Sequence, residues 1–195
     1  MEIYSSIETG FRMIRKVLTM PELVRPNQDV TLSDQCYRFE NVSFSYEKGI
    51  EVLHDINFEV KPNSVFAIVG ESGSGKSTIA KLMAGFFDVD AGTISFGDQD
   101  VKNIPTAQLM KHVAYVAQDN FLFDTSIREN LKVAKADATD EEILNALKAA
   151  NCLELIERLP EGLNSNAGDC GKFLSGGERQ RITLARAMLA DAQCI

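Results

Sequence analysis

The spacing of apolar side chains changes along the chain, and each spacing predicts a different element. Residues 1–20 repeat apolar positions every three or four residues, which predicts one amphipathic helix that Pro21 ends. Residues 37–46 and 56–60 alternate apolar and polar side chains, which predicts two antiparallel strands. The alternation changes phase near Asn41, and we therefore expect a turn or bulge at that position.

A second pattern begins after the turn predicted at residues 61–64. The run "VFAIVG" at 65–70 is continuously apolar, as is typical of a central strand in a parallel sheet. A glycine-rich turn and an amphipathic helix follow it. From about residue 120 the spacing becomes mostly helical, and Thr139 with Glu142 forms a capping box that opens one helix. Further short strands are predicted at 92–96 and 113–117.

The stretch "GESGSGKS" (70–77) fits the phosphate-loop pattern G-x-x-x-x-G-K-[ST] between a predicted strand and a predicted helix. Backbone N–H groups of such a loop point inward and bind phosphate oxygens. Lys76 adds a charge for the outer phosphates, Ser77 offers a hydroxyl to Mg²⁺, and Thr78 can reach the first phosphate. The predicted nucleotide-binding residues of the loop are Gly70, Glu71, Ser72, Gly73, Ser74, Gly75, Lys76, Ser77 and Thr78.

A second anion-binding helix start is predicted at "LSGGERQR" (174–181). Ser175 and Glu178 have the spacing of a capping box, and an apolar-periodic helix follows. Gly176 and Gly177 leave the backbone N–H groups of the first turn uncovered, which suits an anion. The sequence thus contains two phosphate-binding helix starts about a hundred positions apart.

Composition limits the partners of the chain. Its 195 residues carry a net charge of −8, which argues against a broad basic surface for nucleic acid. Its four cysteines form no C-x-x-C pair, so the sequence indicates neither a zinc ribbon nor a redox pair. No apolar run approaches the length of a membrane-spanning helix, and the acidic residues near the N-terminus argue against a signal peptide.

The octet at 174–181 resembles the signature of ATP-binding cassette (ABC) proteins, and other positions match that family in the same order. The resemblance covers essentially residues 35–195. It implies an α/β fold: a P-loop NTPase (RecA-like) core, an antiparallel β subdomain, and a helical signature subdomain at about 120–185. It also implies ATP and Mg²⁺ as cofactors, with Tyr46 stacking on adenine and Gln118 sensing Mg²⁺ and the attacking water. Lys76 and Gln118 are accordingly the candidate catalytic residues, and Ser77 and Gln118 the candidate metal-binding residues.

The resemblance also explains the second anion site, because two cassettes of this family pair head to tail. Each phosphate loop then faces the signature helix of the other cassette, and one ATP bridges two chains. The expected partner is therefore a second nucleotide-binding domain. The residues expected to face the partner's ATP are Leu174, Ser175, Gly176, Gly177 and Glu178.

Three stretches resemble the exporter branch of the family. "AGDCGKFLSGG" (167–177) resembles the exporter loop before the signature, although exporters usually carry glutamate where Asp169 stands. "LFDTSIREN" (122–130) resembles the stretch on which the membrane domain docks, and residues 1–34 resemble the helix and linker that follow that domain. These resemblances imply an exporter cassette on the cytoplasmic face of a membrane, partnered by transmembrane domains. An importer subunit and a soluble ABC protein are the weaker alternatives.

In the family, an aspartate for Mg²⁺, a water-activating glutamate and a switch histidine follow the signature helix. Here Ile195 stands where the strand before them would begin, and His54 and His112 lie upstream as structural residues. The resemblance therefore implies a C-terminally incomplete fold, cut from a longer protein at both ends and inactive in hydrolysis by itself. A non-hydrolytic nucleotide-binding and dimerisation module is the other interpretation.

Overall fold

The computed structural model describes residues 8, 10–15, 18–19, 23–34 and 36–195. The described residues of the predicted N-terminal helix are helical at 8, 10–15 and 18, and Phe11, Ile14 and Leu18 are exposed there. The rest of that predicted stripe, with Pro21, lies outside the described residues. The described residues 23–34 form no helix or strand, as predicted for a linker.

The described strands form one four-stranded antiparallel sheet in the order β2-β1-β3-β4. The predicted bulge in β1 is confirmed, because Phe39 pairs with Phe58 whereas Val42 pairs with Ile56. One extra residue is thus inserted in β1, and Asn41 there adopts a left-handed conformation with φ 51°. The strands are β1 (Tyr37–Glu47), β2 (Ile50–Val60), β3 (Ala91–Phe96) and β4 (Gln99–Asp100).

The predicted helical character after residue 120 is also confirmed. The helices are α1 (Lys76–Met83), α2 (Thr106–His112), α3 (Ile127–Lys132), α4 (Asp140–Ala149), α5 (Leu153–Arg158) and α6 (Gly176–Leu189). Both predicted capping boxes form, at the starts of α4 and α6. At α4, the Lys135 ammonium and the Thr139 N–H both donate to the Glu142 carboxylate and lower its pKa to about 2.

Two hydrophobic clusters hold these elements. The first joins the sheet to α1 and α2, and includes the fully buried side chains of Tyr37, Phe96 and Leu82. The second holds α3 to α6 together, with Leu131 and Ile182 completely buried. The apolar positions read from the sequence therefore separate into a sheet-based core and a helical core.

Two predicted strands are corrected by the structure. Residues 65–70 and 113–117 form no ladder with any described strand, although Val113 makes a single parallel bridge to Cys194. Val65 and Val69 are 101% and 87% exposed. Ile68 packs against the sheet core, and Phe66, which is 46% exposed, stacks on Phe58 with ring centroids 5.1 Å apart. A strand exists only where a second strand supplies its hydrogen bonds, and a continuous apolar run predicts burial without specifying that partner.

The parallel bridge is the one trace of the predicted parallel sheet within the described residues. The Ala114 N–H donates to the Cys194 carbonyl at 2.8 Å, and the Cys194 N–H donates to the His112 carbonyl at 2.9 Å. The extended segment that follows α6 therefore runs alongside the segment that follows α2. Among the described residues, no helix combines the length and the apolar character that crossing a bilayer requires.

Candidate functional site

The phosphate loop is fixed at the point where α1 begins. Gly75 caps α1 with φ 86°, a conformation that residues with a Cβ adopt only under strain. A Cβ on Gly75 would lie 2.5 Å from Leu53 Cδ2 and 3.4 Å from the Val52 carbonyl oxygen. Only glycine therefore allows the loop to lie against β2 while turning into the helix, and this contact sets the direction of the first N–H groups of α1.

The Lys76 side chain bends back over the loop. Its ammonium donates to the carbonyl oxygens of Gly70 (3.0 Å) and Glu71 (2.5 Å) and to Ser74 Oγ (3.2 Å). These acceptors are uncharged, so the positive charge is not neutralised by a carboxylate. A phosphate group that enters the loop would meet a cation together with the free N–H groups of a helix start.

A cavity of about 270 Å³ joins the loop to the end of β1. Tyr46 is 47% exposed there, and its hydroxyl donates to Thr78 Oγ1 at 3.2 Å. The residues that line this cavity are Tyr46, Val52, Gly73, Gly75, Lys76, Ser77 and Thr78. The structure therefore places Tyr46 beside the phosphate loop. The spacing of these residues in the sequence does not by itself show that they are neighbours.

Aromatic neighbours hold the Tyr46 ring. Phe44 lies edge-on to it with ring centroids 4.9 Å apart, and Phe87 lies edge-on at 5.3 Å. The Lys81 ammonium is 5.8 Å from the Tyr46 ring centroid. Neither Lys81, within α1, nor Phe87, after α1 ends at Met83, was singled out from the sequence.

The two predicted metal-binding residues are placed differently. Ser77 is exposed in the first turn of α1 and lines the cavity, so its hydroxyl fits the hard oxygen ligand that Mg²⁺ prefers. Gln118 is exposed in a bend and is not among the residues that line the cavity. The geometry supports Ser77 as a ligand and leaves Gln118 as a prediction.

The signature helix α6 begins with a complete capping box. The N–H and Oγ of Ser175 donate to Glu178 Oε2 at 2.8 Å and 2.7 Å, and these bonds lower the pKa of Glu178. Gly176 and Gly177 are exposed and have no positive φ. A Cβ on Gly177 would meet only Arg181 Nη1 at an ordinary 3.7 Å. Neither space nor backbone conformation within this chain requires these two glycines.

A buried polar cluster ties α6 to the stretch at 121–130. Arg186 donates to the Asn130 carbonyl (2.9 Å), to Asn130 Oδ1 (3.0 Å) and to the Phe121 carbonyl (3.3 Å). Asn130, which is completely buried, accepts from the Phe123 N–H at 2.8 Å. Burial lowers the pKa of Arg186, because desolvation disfavours its charged form. Neither residue was singled out from sequence.

The stretch at 121–130 and the loop before α6 border a second cavity of about 440 Å³. Phe121, which lines it, is 48% exposed; Phe123, edge-on to Phe121 at 5.1 Å, is 46% exposed, and Phe173, which follows the lining residue Lys172, is 68% exposed. The residues that line this cavity are Asp119, Asn120, Phe121, Asp169, Cys170, Lys172 and Arg179. An exposed aromatic group beside a polar cavity is typical of a surface that contacts another protein.

The sequence profile of the ABC transporter family matches residues 53–195, which include both the phosphate loop and the signature helix. This chain belongs to the ABC transporter family. The family assigns nucleotide binding to this domain, in agreement with the phosphate loop described above. The family resemblance and the α/β fold class predicted from the sequence are thereby confirmed.

Curated relatives support the same assignment. The chain is 45% identical, over 99% of its length, to the heavy metal tolerance protein of Schizosaccharomyces pombe. It is 42% identical, over 92% of its length, to the mycobactin import ATP-binding/permease protein IrtA of Mycolicibacterium smegmatis. It is 45% identical, over 78% of its length, to the putative multidrug export ATP-binding/permease protein YgaD of Bacillus subtilis. The chain spans 24%, 21% and 27% of these three proteins, about a quarter of each.

Among solved structures, a bacterial Atm1-family ABC exporter with ATP bound matches 97% of the chain with a TM-score of 0.86. The two sequences are 34% identical, and the match covers 34% of the exporter chain. The antiparallel sheet and the helices of this chain thus have the fold of an exporter-type ABC cassette.

We expect Lys76→Ala to abolish ATP binding and Tyr46→Ala to weaken it by about 1–3 kcal/mol, the range for base–aromatic stacking. Lys76→Ala removes the cation of the loop, whereas Tyr46→Ala removes the ring. Isothermal titration of each variant with ATP and with inorganic tripolyphosphate separates the two effects.

Two controls accompany this titration. Tyr46→Phe keeps the ring and loses only the bond to Thr78, so it should retain the preference for ATP. Lys102→Ala removes an exposed lysine that pairs with Asp100 away from the loop, and should bind ATP normally. Equal affinity of the unaltered chain for ATP and tripolyphosphate would exclude the stacking role of Tyr46.

Proposed function

We propose that this chain is the ATP-binding domain of an exporter-type ABC transporter. The observation that carries this proposal is the cavity in which the Tyr46 ring, the Lys76 ammonium and the Ser77 hydroxyl lie together. That combination matches the three parts of a magnesium nucleotide: a flat base, a polyanion and a cation that needs oxygen ligands.

Binding of ATP would replace the contacts that the loop now makes with itself. The Lys76 ammonium would exchange the carbonyls of Gly70 and Glu71 for phosphate oxygens, which are stronger acceptors because they are charged. The N–H groups at the start of α1 would bind the same phosphates. Ser77 would hold Mg²⁺, which neutralises charge on the outer phosphates.

A second cassette is the proposed partner, arranged head to tail. Gly176 and Gly177 support this proposal, because nothing within the chain explains two exposed glycines in the first turn of a helix, where each lowers helix stability. Their uncovered N–H groups offer a site for an anion that another chain carries, with Leu174 to Glu178 facing that anion. The γ-phosphate of the partner's ATP has the required charge.

A transmembrane domain at the cytoplasmic face of a membrane is the other proposed partner. The exposed phenylalanines around the 440 Å³ cavity would contact it, and Arg186 and Asn130 hold that stretch in place. The relatives named ATP-binding/permease proteins combine both functions in one chain. One of them is named for import and the other for export, so the assignment proposed for this chain is to the exporter-type architecture.

Hydrolysis is a separate matter from binding. No acidic side chain is among the described residues that line the 270 Å³ cavity, so Ser77 is the oxygen ligand proposed there for Mg²⁺ and no carboxylate there would activate a water. We therefore propose that these 195 residues by themselves bind ATP and pair through it without hydrolysing it, as a non-hydrolytic module would.

Gly177→Asp should leave ATP binding to the monomer intact and prevent ATP-dependent pairing. A carboxylate in the first turn of α6 is favourable for the helix itself, so the fold should not suffer. It would, however, repel the partner's γ-phosphate. Sedimentation velocity with and without Mg-ATP measures the pairing.

Gly177→Asn is the matched control, because it has the same size without the charge and should pair more strongly than Gly177→Asp. Loss of ATP binding in the monomeric Gly177→Asp chain would instead contradict the assignment of this helix to a partner's nucleotide.

The purified chain should release phosphate from Mg-ATP no faster than its Lys76→Ala variant. Phosphoryl transfer depends on an oriented water and a fully held metal, and the proposed site supplies only part of each. A continuous phosphate-release assay at saturating ATP checks this expectation. Steady release that disappears in Lys76→Ala would require another catalytic carboxylate among the described residues.

A further inference from the structure

The segment before the sheet is attached along the cassette at several points. We call residues 25–33 the strap. Val30 exchanges two hydrogen bonds with the buried Gln108 side chain: its N–H donates to Oε1 (2.9 Å) and its carbonyl accepts from Nε2 (2.7 Å). The Ser33 N–H donates to the Gly97 carbonyl at 3.2 Å, and Val30 and Leu32 pack against the sheet core. The strap is therefore part of the packed cassette.

Arg25, the first residue of the strap, binds the turn that follows the C-terminal end of α1. The Arg25 guanidinium donates to Asp88 Oδ1 (2.7 Å), to Asp88 Oδ2 (3.2 Å) and to the Gly85 carbonyl (3.4 Å). Only 8% of the Arg25 side chain is exposed, against 45% of the Asp88 side chain. A forked arginine–carboxylate pair whose arginine is buried is more rigid than a fully exposed single-contact ion pair, which contributes little.

The helix end at this contact has a defined geometry. Gly85 has φ 70°, its N–H donates to the Leu82 carbonyl, and the Phe86 N–H donates to the Lys81 carbonyl, each at 3.0 Å. This is a Schellman termination, which fixes the direction of the chain as it leaves α1. A cation at a helix C-terminus is favourable, and here it also compensates the nearby Asp88 carboxylate. Arg25 thus reinforces the turn at 84–88.

Phe87 lies within that turn, next to Asp88. Its ring contacts Tyr46 edge-on at 5.3 Å and Phe44 at 5.6 Å. Phe87 is 38% exposed, so burial alone does not fix its ring. The position of this ring depends on the backbone of the turn, which Arg25 holds from the other side. A chain of direct contacts therefore runs from the strap through Asp88 and Phe87 to the proposed adenine-stacking ring.

We propose that Arg25 is a positioning residue for nucleotide binding: it holds the turn that follows α1 so that Phe87 orients Tyr46 toward the base. This inference rests on the proposed function, since it assumes that Tyr46 stacks on adenine. It gives the strap an indirect effect on the base, through Phe87 and Tyr46, that is separate from the phosphate loop.

The alternative is that Arg25 is only a structural attachment of the strap. The two roles differ in what they change. A structural attachment alters the stability of the fold and weakens all ligands alike. A positioning residue alters the preference for ATP over tripolyphosphate, because only ATP carries a base.

The test is a double-mutant cycle on the full 195-residue chain with Arg25→Ala, Phe87→Leu and both together. Titration with ATP and with tripolyphosphate gives the preference of each variant. We expect Arg25→Ala to weaken ATP binding by about threefold to tenfold, the range for one edge-to-face aromatic contact, and to leave tripolyphosphate affinity unchanged. In the Phe87→Leu background, Arg25→Ala should have no further effect on the preference.

Arg38→Ala is the matched control, because Arg38 also pairs with carboxylates, those of Asp34 and Asp98, at the opposite end of β1 from Tyr46. It should lower thermal stability without changing the preference for ATP. If Arg25→Ala does not fold, Asp88→Asn breaks the same pair from its exposed side and carries the same expectation.

The outcomes distinguish a failure of the stacking role of Tyr46 from a failure of the positioning role of Arg25. An unaltered chain without preference for ATP over tripolyphosphate would refute the stacking role in the proposed function. A chain that prefers ATP, and keeps its full preference in Arg25→Ala and Asp88→Asn, would refute the positioning role alone. Additive effects of Arg25→Ala and Phe87→Leu would also refute it.

Discussion

The close approach of Gly75 to β2 is the contact on which the candidate site depends. Because no Cβ intervenes, α1 begins directly against Leu53 and the Val52 carbonyl. This contact points the first N–H groups of the helix toward the space beside Tyr46 at the end of β1. The antiparallel sheet therefore carries the ring for the base, and the helix that starts against it carries the groups for the phosphates. A small shift of that helix start would separate the two.

Features determined by neighbouring residues could be predicted from the sequence. The bulge at Asn41 follows from a local change of phase in the apolar alternation, and both capping boxes follow from residue types three positions apart. The strand predicted at 65–70 does not form within the described structure, since an apolar run gives no information about the partner that would pair with it. Tyr46 and Gln118 were both taken from the family resemblance; Tyr46 donates a hydrogen bond to Thr78 beside the phosphate loop, whereas Gln118 is not among the residues that line the 270 Å³ cavity.

Contacts between distant parts of the chain were invisible at the sequence level. Arg25 and Asp88 are 63 positions apart, and Arg186 and Asn130 are 56 apart. Each pair joins two distant segments: the first joins the strap to the turn after α1, and the second joins the stretch at 121–130, which includes the start of α3, to α6. Loops that carry binding residues need such attachments, because their own backbone hydrogen bonds are few. The strap and the buried Asn130 therefore extend the functional unit beyond its sequence motifs.

The two helix starts, α1 and α6, have opposite characters that fit a shared nucleotide. The start of α1 adjoins a cavity with its own cation and ring, whereas the start of α6 is an exposed glycine surface. If one chain holds the ATP and the second chain closes over it, both kinds of surface are needed. The start of α1 and the start of α6 must then become occupied at different stages.

Amide hydrogen exchange of the chain with Mg-ATP, measured below and above the concentration at which it pairs, tests this central claim most directly. The account predicts slower exchange at residues 72–78 in the monomer, and slower exchange at residues 175–178 only in the pair. Protection of 175–178 in the monomer, or an unchanged loop at 72–78 in the presence of ATP, would contradict it.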